Sequence, residues 1–329
     1  MEQIKTGIVG YGNLGKGVKK AIKHNSDIEL TGIFTRRPAD SLQIKDNDTG
    51  VYNVKKADNF TNEIDVMILC GGSATDLPVQ GPKYAELFNT VDSFDNHKDI
   101  PEYYEKINKI AKNNKNTCAI SIGWDPGLFS LNRMISQAIL PQGKGYTFWG
   151  PGVSQGHSDA VRRIDGVKDA VQYTIPVDES VNKVREGKNP ELTNKEKHLR
   201  KCYVVCENNA NKEQIKKEIK NMPNYFADYR TKINFISEEK LKKEHNNMPH
   251  GGFVMRSAKT GKNDEHNQII EFSLKQDSNP EFTAQVLVAY ARAVYRLNNE
   301  NQIGAKTIFD IPPAYLSMKS PEQLRKEML

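Results

Sequence analysis

Two aspartates stand where acids can do chemistry. Asp92 in TVDSFDNH and Asp125 in GWDPG each fall at the carboxyl end of a predicted parallel strand, where open α/β sheets place their ligands. A carboxylate at such a point can hold an ammonium group. Further along lie Trp149 in FWGPG, Gln155 and Gly156 in SQGHSDA, Thr174, Arg200, His250 in MPHGG and Asn279 in SNP. Together they offer an indole, amides, a hydroxyl, a guanidinium and an imidazole, a donor set suited to a polar substrate. Taken singly, each has a plainer reading. A lone Trp is ordinarily core, a lone His is ordinarily a satisfied structural group, and Asp before Pro ordinarily shapes a turn. Spacing alone decides none of them.

The glycines are more specific. Gly10-Tyr11-Gly12-Asn13-Leu14-Gly15 follows an apolar strand and opens a helix whose Leu14, Val18, Ala21 and Ile22 share one stripe. Strand, tight turn and helix N-terminus together form the phosphate cradle of a Rossmann-type dinucleotide site. An NAD site carries an acid roughly 20 residues on, to accept from the ribose 2′-hydroxyl. Here Thr35, Arg36 and Arg37 occupy that place, and guanidiniums suit a 2′-phosphate. NADP is therefore the expected cofactor. Cys70-Gly71-Gly72-Ser73-Ala74-Thr75 follows the next strand with small residues that admit the ribose and pyrophosphate, and Asp92 closes the set.

The elements that must position these residues divide into two patterns. Over residues 4–122, short β-rich runs alternate with amphipathic helices, the signature of a parallel sheet covered on both faces. The strands expected are 5–9, 28–34, 65–70, 90–94 and 117–122. After GWDPG, a helix carrying Leu128, Leu131, Ile135 and Ile139 leads into runs at 146–149, 170–175, 199–206, 232–236, 252–256 and 268–275. These mix with short helices, which favours one open mixed or antiparallel sheet. The fold class expected is α/β, a doubly wound parallel sheet with a second α+β domain. The boundaries expected are 1–125 and 126–297, with a cleft between the lobes and the tail, about 298–329, returning to the first. Residues 280–297 read as a buried globular helix despite Arg292 and Arg296.

Composition removes other classes. Length 329 suits two domains, and 37% hydrophobic with 27% charged residues is ordinary for a globular protein. No apolar run approaches the ~20 residues of a membrane span, and the N-terminus has no secretory pattern, so a cytoplasmic protein with no membrane partner is expected. The four scattered cysteines read as reduced thiols, and no metal site is expected. The net charge of +6 is spread over helix faces without interleaved aromatics. That argues against a nucleic-acid partner and for a cleft that attracts anions.

GYGNLG, TRR, GSATD, TVDSFDNH, GWDPG, FWGPG, SQGHSDA, QYT, MPHGG and NPEFTA closely resemble, in order, the motifs of the meso-diaminopimelate dehydrogenase family, over residues 4 to about 297. The resemblance implies NADP-dependent, reversible oxidative deamination of meso-2,6-diaminopimelate at its D-centre, giving L-2-amino-6-oxopimelate and ammonia, in bacterial lysine biosynthesis. It implies a homodimer whose second domain both binds substrate and dimerises. Asp92 and Asp125 would orient the reacting amino group, with Trp149, Gln155 and Gly156 around the D-centre. Thr174, Arg200, His250 and Asn279 would hold the L-centre. Two other readings share the cofactor domain. One is a reductase of a cyclic imine or aldehyde, separable by its lack of ammonia dependence; the other is a non-catalytic NADP-binding regulator, which would give no substrate-dependent NADPH signal.

Overall fold

The computed structural model describes residues 3–42, 44 and 49–329. In chain order its strands are β1 (Ile4–Val9), β2 (Ile28–Thr35), β3 (Gly50–Asn53), β4 (Val66–Leu69), β5 (Asn89–Asp92), β6 (Thr117–Ala119), β7 (Lys144–Trp149), β8 (Gly152–Val153), β9 (Val167–Pro176), β10 (His198–Cys206), β11 (Arg230–Phe235), β12 (His250–Thr260), β13 (His266–Gln276) and β14 (Gly304–Lys306). The chain forms two compact units, Met1–Leu131 with Pro280–Leu329, and Asn132–Asn279.

In the first unit, seven strands lie in the order β14-β6-β5-β4-β1-β2-β3, all parallel. The run 3-2-1-4-5-6 is the Rossmann order. Strand alternation sends Ile8, Ile33 and Ile68 to one core and Val9, Phe34, Met67 and Leu69 to the other, which is why β4 is buried at every position. The two end strands, β3 and β14, are short and were not among the strands expected from sequence. The helix Asn279–Asn299 lays Val286, Leu287, Val288, Tyr290 and Ala291 on the first of these cores. Its Arg292, 2% exposed, donates from Nη2 to Asp27 Oδ1 and to Asn25 Oδ1, both at 2.7 Å. The residues that seemed to interrupt its apolar stripe thus fasten it. It packs with the first unit, so the division falls at 131/132 and 279/280, whereas the sequence reading set it at 125/126 and 297/298.

The second unit holds two sheets where one was expected. One is four-stranded, β11-β10-β9-β8; the other is three-stranded, β13-β12-β7, and wholly antiparallel. β9 and β10 alternate buried and half-exposed residues, and their inward side chains join Ile215, Ile219 and Phe226 in one core. A smaller core gathers Tyr146, Phe148, Val181, Val184 and Met255. The length of β9 to β13 suggests a continuous surface from sequence, but the turn at Gly150 to Val153 lets β8 leave one sheet for the other. Cys70, Cys118 and Cys202 are buried free thiols and Cys206 is half-buried. No described helix is long and apolar enough to cross a membrane.

Candidate active site

The glycine turn assigns a separate task to each glycine. Gly10 has φ +92°, and its N–H donates to Phe34 O at 2.8 Å, joining the ends of β1 and β2. At Gly15 a Cβ would lie 2.1 Å from Gly10 O, so only glycine lets the helix Asn13–Ile22 start this close to the strand. A Cβ at Gly12 would meet nothing within 4 Å. Among the described residues no other part of the chain reaches that position, and the helix starts there without a side-chain cap or an acid in its first turn. Its first amides and the positive end of its dipole face that space, which fits a pyrophosphate. Asn13 is exposed, and Leu14 and Tyr11 turn toward the core.

Around this turn the other cofactor candidates assemble. Thr35 is buried and accepts from Arg37 N–H at 3.2 Å, while the Arg37 guanidinium donates to Tyr11 O. Arg36 is exposed and pairs with Asp76 at 3.0 Å, an exchangeable contact on the surface. Cys70 closes β4 with its N–H on Val9 O at 2.8 Å, and burial pushes its thiol far up, so it is inert. Gly71 to Thr75 form the following turn, pinned by Gly72 N–H on Asp76 Oδ2 at 2.9 Å. The ends of β1, β2 and β4 are neighbours, so the three segments meet on one edge of the sheet.

The two acids separate. Asp92 is 1% exposed and faces inward: Oδ1 accepts from Phe94 N–H (2.9 Å) and Ser121 N–H (3.1 Å), and Oδ2 accepts from Tyr103 O–H (2.7 Å). Burial raises its carboxyl above the usual range, against these three donors. Its own carbonyl accepts from Ile122 N–H at 2.8 Å. Asp92 therefore ties the loop after β5 to the loop after β6. Three of the acceptor positions of its carboxylate are thus engaged within the protein, and among the described residues no donor meets the second position on Oδ2. The acid which that loop does present is Asp95, exposed and with its N–H on Ser73 Oγ at 2.8 Å. Asp125, half-buried, is carried by the second tied loop.

In the second unit a buried cation stands out. Thr174 and Arg200 face each other across β9 and β10. Arg200, 7% exposed, donates from Nη1 to Thr174 Oγ1 and lies over the Tyr229 ring at 4.0 Å. Its Nε has no partner, and the groups that favour its charge are Tyr229 and Cys202, with no carboxylate among the described residues. Burial lowers the pKa of Arg200, as expected for a charge taken from water without a counter-ion. Close by, His157 shares a 2.8 Å hydrogen bond with Ser154 Oγ while its Nε2 is orphaned. Burial, then Arg200, push it down to about 4, so it is neutral near pH 7.

The remaining candidates converge on the same end of these strands. Gly150 N–H donates to Gly251 O and Val153 N–H to Pro249 O, both at 2.8 Å, bringing the Trp149 turn against His250. A Cβ at Gly152 would touch the His250 ring. Asn279 N–H donates to Met248 O at 3.0 Å. Gln155 and Gly156 start the helix Gln155–Arg162, exposed, and a Cβ at Gly156 would have open space around it. Trp149 is 37% exposed, unlike the lone core Trp of the plainer reading. Sequence reasoning missed Asp95, Tyr103, Tyr229 and His198. Only Asp95 left a signal, as the second acid of DSFD.

Comparison with known proteins agrees across the whole length. Residues 123–278 match the diaminopimelic acid dehydrogenase C-terminal domain. The meso-diaminopimelate D-dehydrogenase of Ureibacillus thermosphaericus is 60% identical, covering 100% of both chains. That of Acetivibrio thermocellus is 58% identical over 100% of this chain and 98% of its own. Among solved structures, the C. glutamicum DAP dehydrogenase in complex with DAP superposes with TM-score 0.92 at 44% identity, covering 100% of both chains. An engineered D-amino acid dehydrogenase bound to NADP+ gives 0.86 at 42%, over 99% of this chain and 100% of its own. By its full-length identity to these amino acid dehydrogenases, the chain belongs to the meso-diaminopimelate D-dehydrogenase family.

Proposed function

We propose that this protein carries out the NADP-dependent, reversible oxidative deamination of meso-2,6-diaminopimelate at its D-centre, yielding L-2-amino-6-oxopimelate and ammonia for lysine biosynthesis. The observation that carries the substrate reading is Arg200, a buried guanidinium with no carboxylate partner among the described residues. A substrate carboxylate completes it with a bidentate, charge-assisted pair. Thr174, His250 and Asn279 supply the neutral donors and acceptors of the L-centre, which decides which end of the near-symmetric diacid reacts.

The residues present fit NADP. The space over Gly12 admits a pyrophosphate, and Arg36 and Arg37 stand where a 2′-phosphate needs cations. When bound, the nicotinamide accepts the hydride. The protein's part is orientation and proton control. Asp95 and Asp125 hold the D-amino group, with Asp92 fixing both loops from beneath, and Trp149, Gln155 and Gly156 are assigned to the same centre. The carbon gives up hydride only from the neutral amine, so the ammonium first loses a proton to water. Loss of hydride from that carbon gives the iminium ion, water adds to it, and ammonia and a proton leave to give the ketone. Oxidation is accordingly faster at alkaline pH.

We further propose a cytoplasmic homodimer. Four free thiols suit a reducing compartment. The helix Leu128–Ile139 exposes Met134 (39%), Ile135 (41%) and Ile139 (61%) within the second unit, an apolar face suited to a second copy. Light scattering reads the mass directly, and a monomer at micromolar concentration rules the dimer out.

The deciding experiment is NADPH formation at alkaline pH with meso-, LL- and DD-diaminopimelate, each with NADP and with NAD. Turnover of the meso isomer with NADP alone supports the proposal in reaction, stereochemistry and cofactor. Silence with all three isomers removes it, and equal rates with NAD remove the cofactor assignment.

A further inference from the structure

Among the described residues β7 is an edge strand paired with β12, so N–H groups along its other edge have no strand to bond there. At Trp149, the last residue of β7, that N–H donates to Nε2 of His198 at 2.9 Å. His198 opens β10 in the other sheet of the same unit and is 1% exposed. Its ring also lies almost parallel to the Trp149 indole, with centroids 5.4 Å apart at 25°, and leans on Phe148 at 6.1 Å. An Nε2 that accepts requires a neutral ring. Burial, then Arg200 and Lys197, push His198 down to about 3, which keeps it neutral throughout the working range.

On the far side of Trp149 the chain is equally constrained. Gly150 has φ +99°, and a Cβ there would lie 2.0 Å from Thr174 O. The backbone of Trp149 is thus held between His198 and the Gly150 turn, and its indole rests on the imidazole while 37% of the residue stays open. A histidine that only filled space would need neither the hydrogen bond nor the stack. We infer that His198 is a positioning residue that fixes the height and plane of the Trp149 indole through one hydrogen bond and one ring contact. This rests on the reading that Trp149 faces the substrate's D-centre.

Two substitutions separate the contacts. His198→Phe keeps a ring and removes the acceptor; His198→Gln keeps an acceptor near the Nε2 position. A neutral hydrogen bond is worth ~1 kcal/mol, so His198→Phe should lower kcat/KM for meso-diaminopimelate roughly five- to tenfold. KM for NADP should stay unchanged, and His198→Gln should recover most of the loss. The chain has two tryptophans, Trp124 at 8% exposure and Trp149, so the emission shift of His198→Phe reports mainly on Trp149. Unchanged kcat/KM with unchanged emission overturns the inference. So does an equal loss in both variants that follows a fall in melting temperature, the mark of a merely structural histidine. Trp149→Phe serves as the control: if it retains full kcat/KM, the substrate role of Trp149 has failed, while the emission of His198→Phe still decides whether His198 holds the indole.

Discussion

Asp92 and Arg200 are both ionisable and both almost fully buried, the first at the end of β5 and the second near the start of β10, yet their surroundings are opposite. Asp92 has two backbone N–H groups and the Tyr103 hydroxyl on its two oxygens. Arg200 has one hydroxyl, an aromatic face and an orphaned Nε. Burial costs each of them solvation: at Asp92 three donors oppose that cost without cancelling it, and at Arg200 no carboxylate opposes it. A satisfied buried charge belongs to the scaffold, whereas an unsatisfied one marks the place where a ligand of opposite charge completes the structure.

Each substitution that follows tests that contrast. Arg200→Met should cost the most activity: truncating one partner of a buried charge pair removes ~2–5 kcal/mol, or about 30- to 5,000-fold in kcat/KM for meso-diaminopimelate. Its melting temperature should hold or rise, since an unpaired buried charge has gone. Asp92→Asn should show the reverse signature, a stability loss of ~1–3 kcal/mol from mismatched donors, with activity falling only through displaced loops. Asp95→Asn should lower kcat/KM while leaving stability within about 0.5 kcal/mol, as for an exposed site. If Asp92→Asn loses turnover at unchanged stability while Asp95→Asn does not, the exchange of roles between these acids is wrong. Arg36→Ala combined with Arg37→Ala should erase most of the NADP over NAD preference, read as the ratio of the two kcat/KM values.

A separate test lies in the pH dependence of stability. His157 and His198 are held at about 4 and about 3 by burial and by Arg200, below the ordinary value of 6.5. The unfolded chain therefore binds protons that the folded one refuses as pH falls from 6.5 toward 4. Stability is complete above 6.5 and declines through that interval. Urea melts at pH 7.5, 6 and 5 should show this slope, and His157→Asn should flatten it.

Much of this arrangement is readable from the sequence because it is local. Gly10, Gly12 and Gly15 declare their turn by spacing, and Thr35-Arg36-Arg37 lies at a fixed distance from it. Strands β1, β2 and β4 to β6 declare themselves by β-branched and aromatic runs. What the sequence leaves open lies where distant residues decide. Asp92 and Asp95 differ by three positions, and only Tyr103 and Ser121, from other elements, fix which one turns inward. The helix Asn279–Asn299 reads as a continuation of the second domain until Asp27, more than 250 residues earlier in the chain, receives Arg292. The His198 contact with Trp149 spans 49 residues and two sheets, and neither residue type announces it.

The most direct test of the central claim is ligand-induced stabilisation by meso-diaminopimelate with NADPH, a pair that cannot turn over, measured on the native protein and on Arg200→Met. At a hundred times Kd, binding to the native protein adds ~2.7 kcal/mol and raises the melting temperature by several degrees. Arg200→Met should lose most of that shift at the same concentration while its unliganded melting temperature stays at or above that of the native protein. A full shift in the variant, or an unliganded melting temperature well below native, would contradict the assignment of Arg200 as a cation that awaits the substrate.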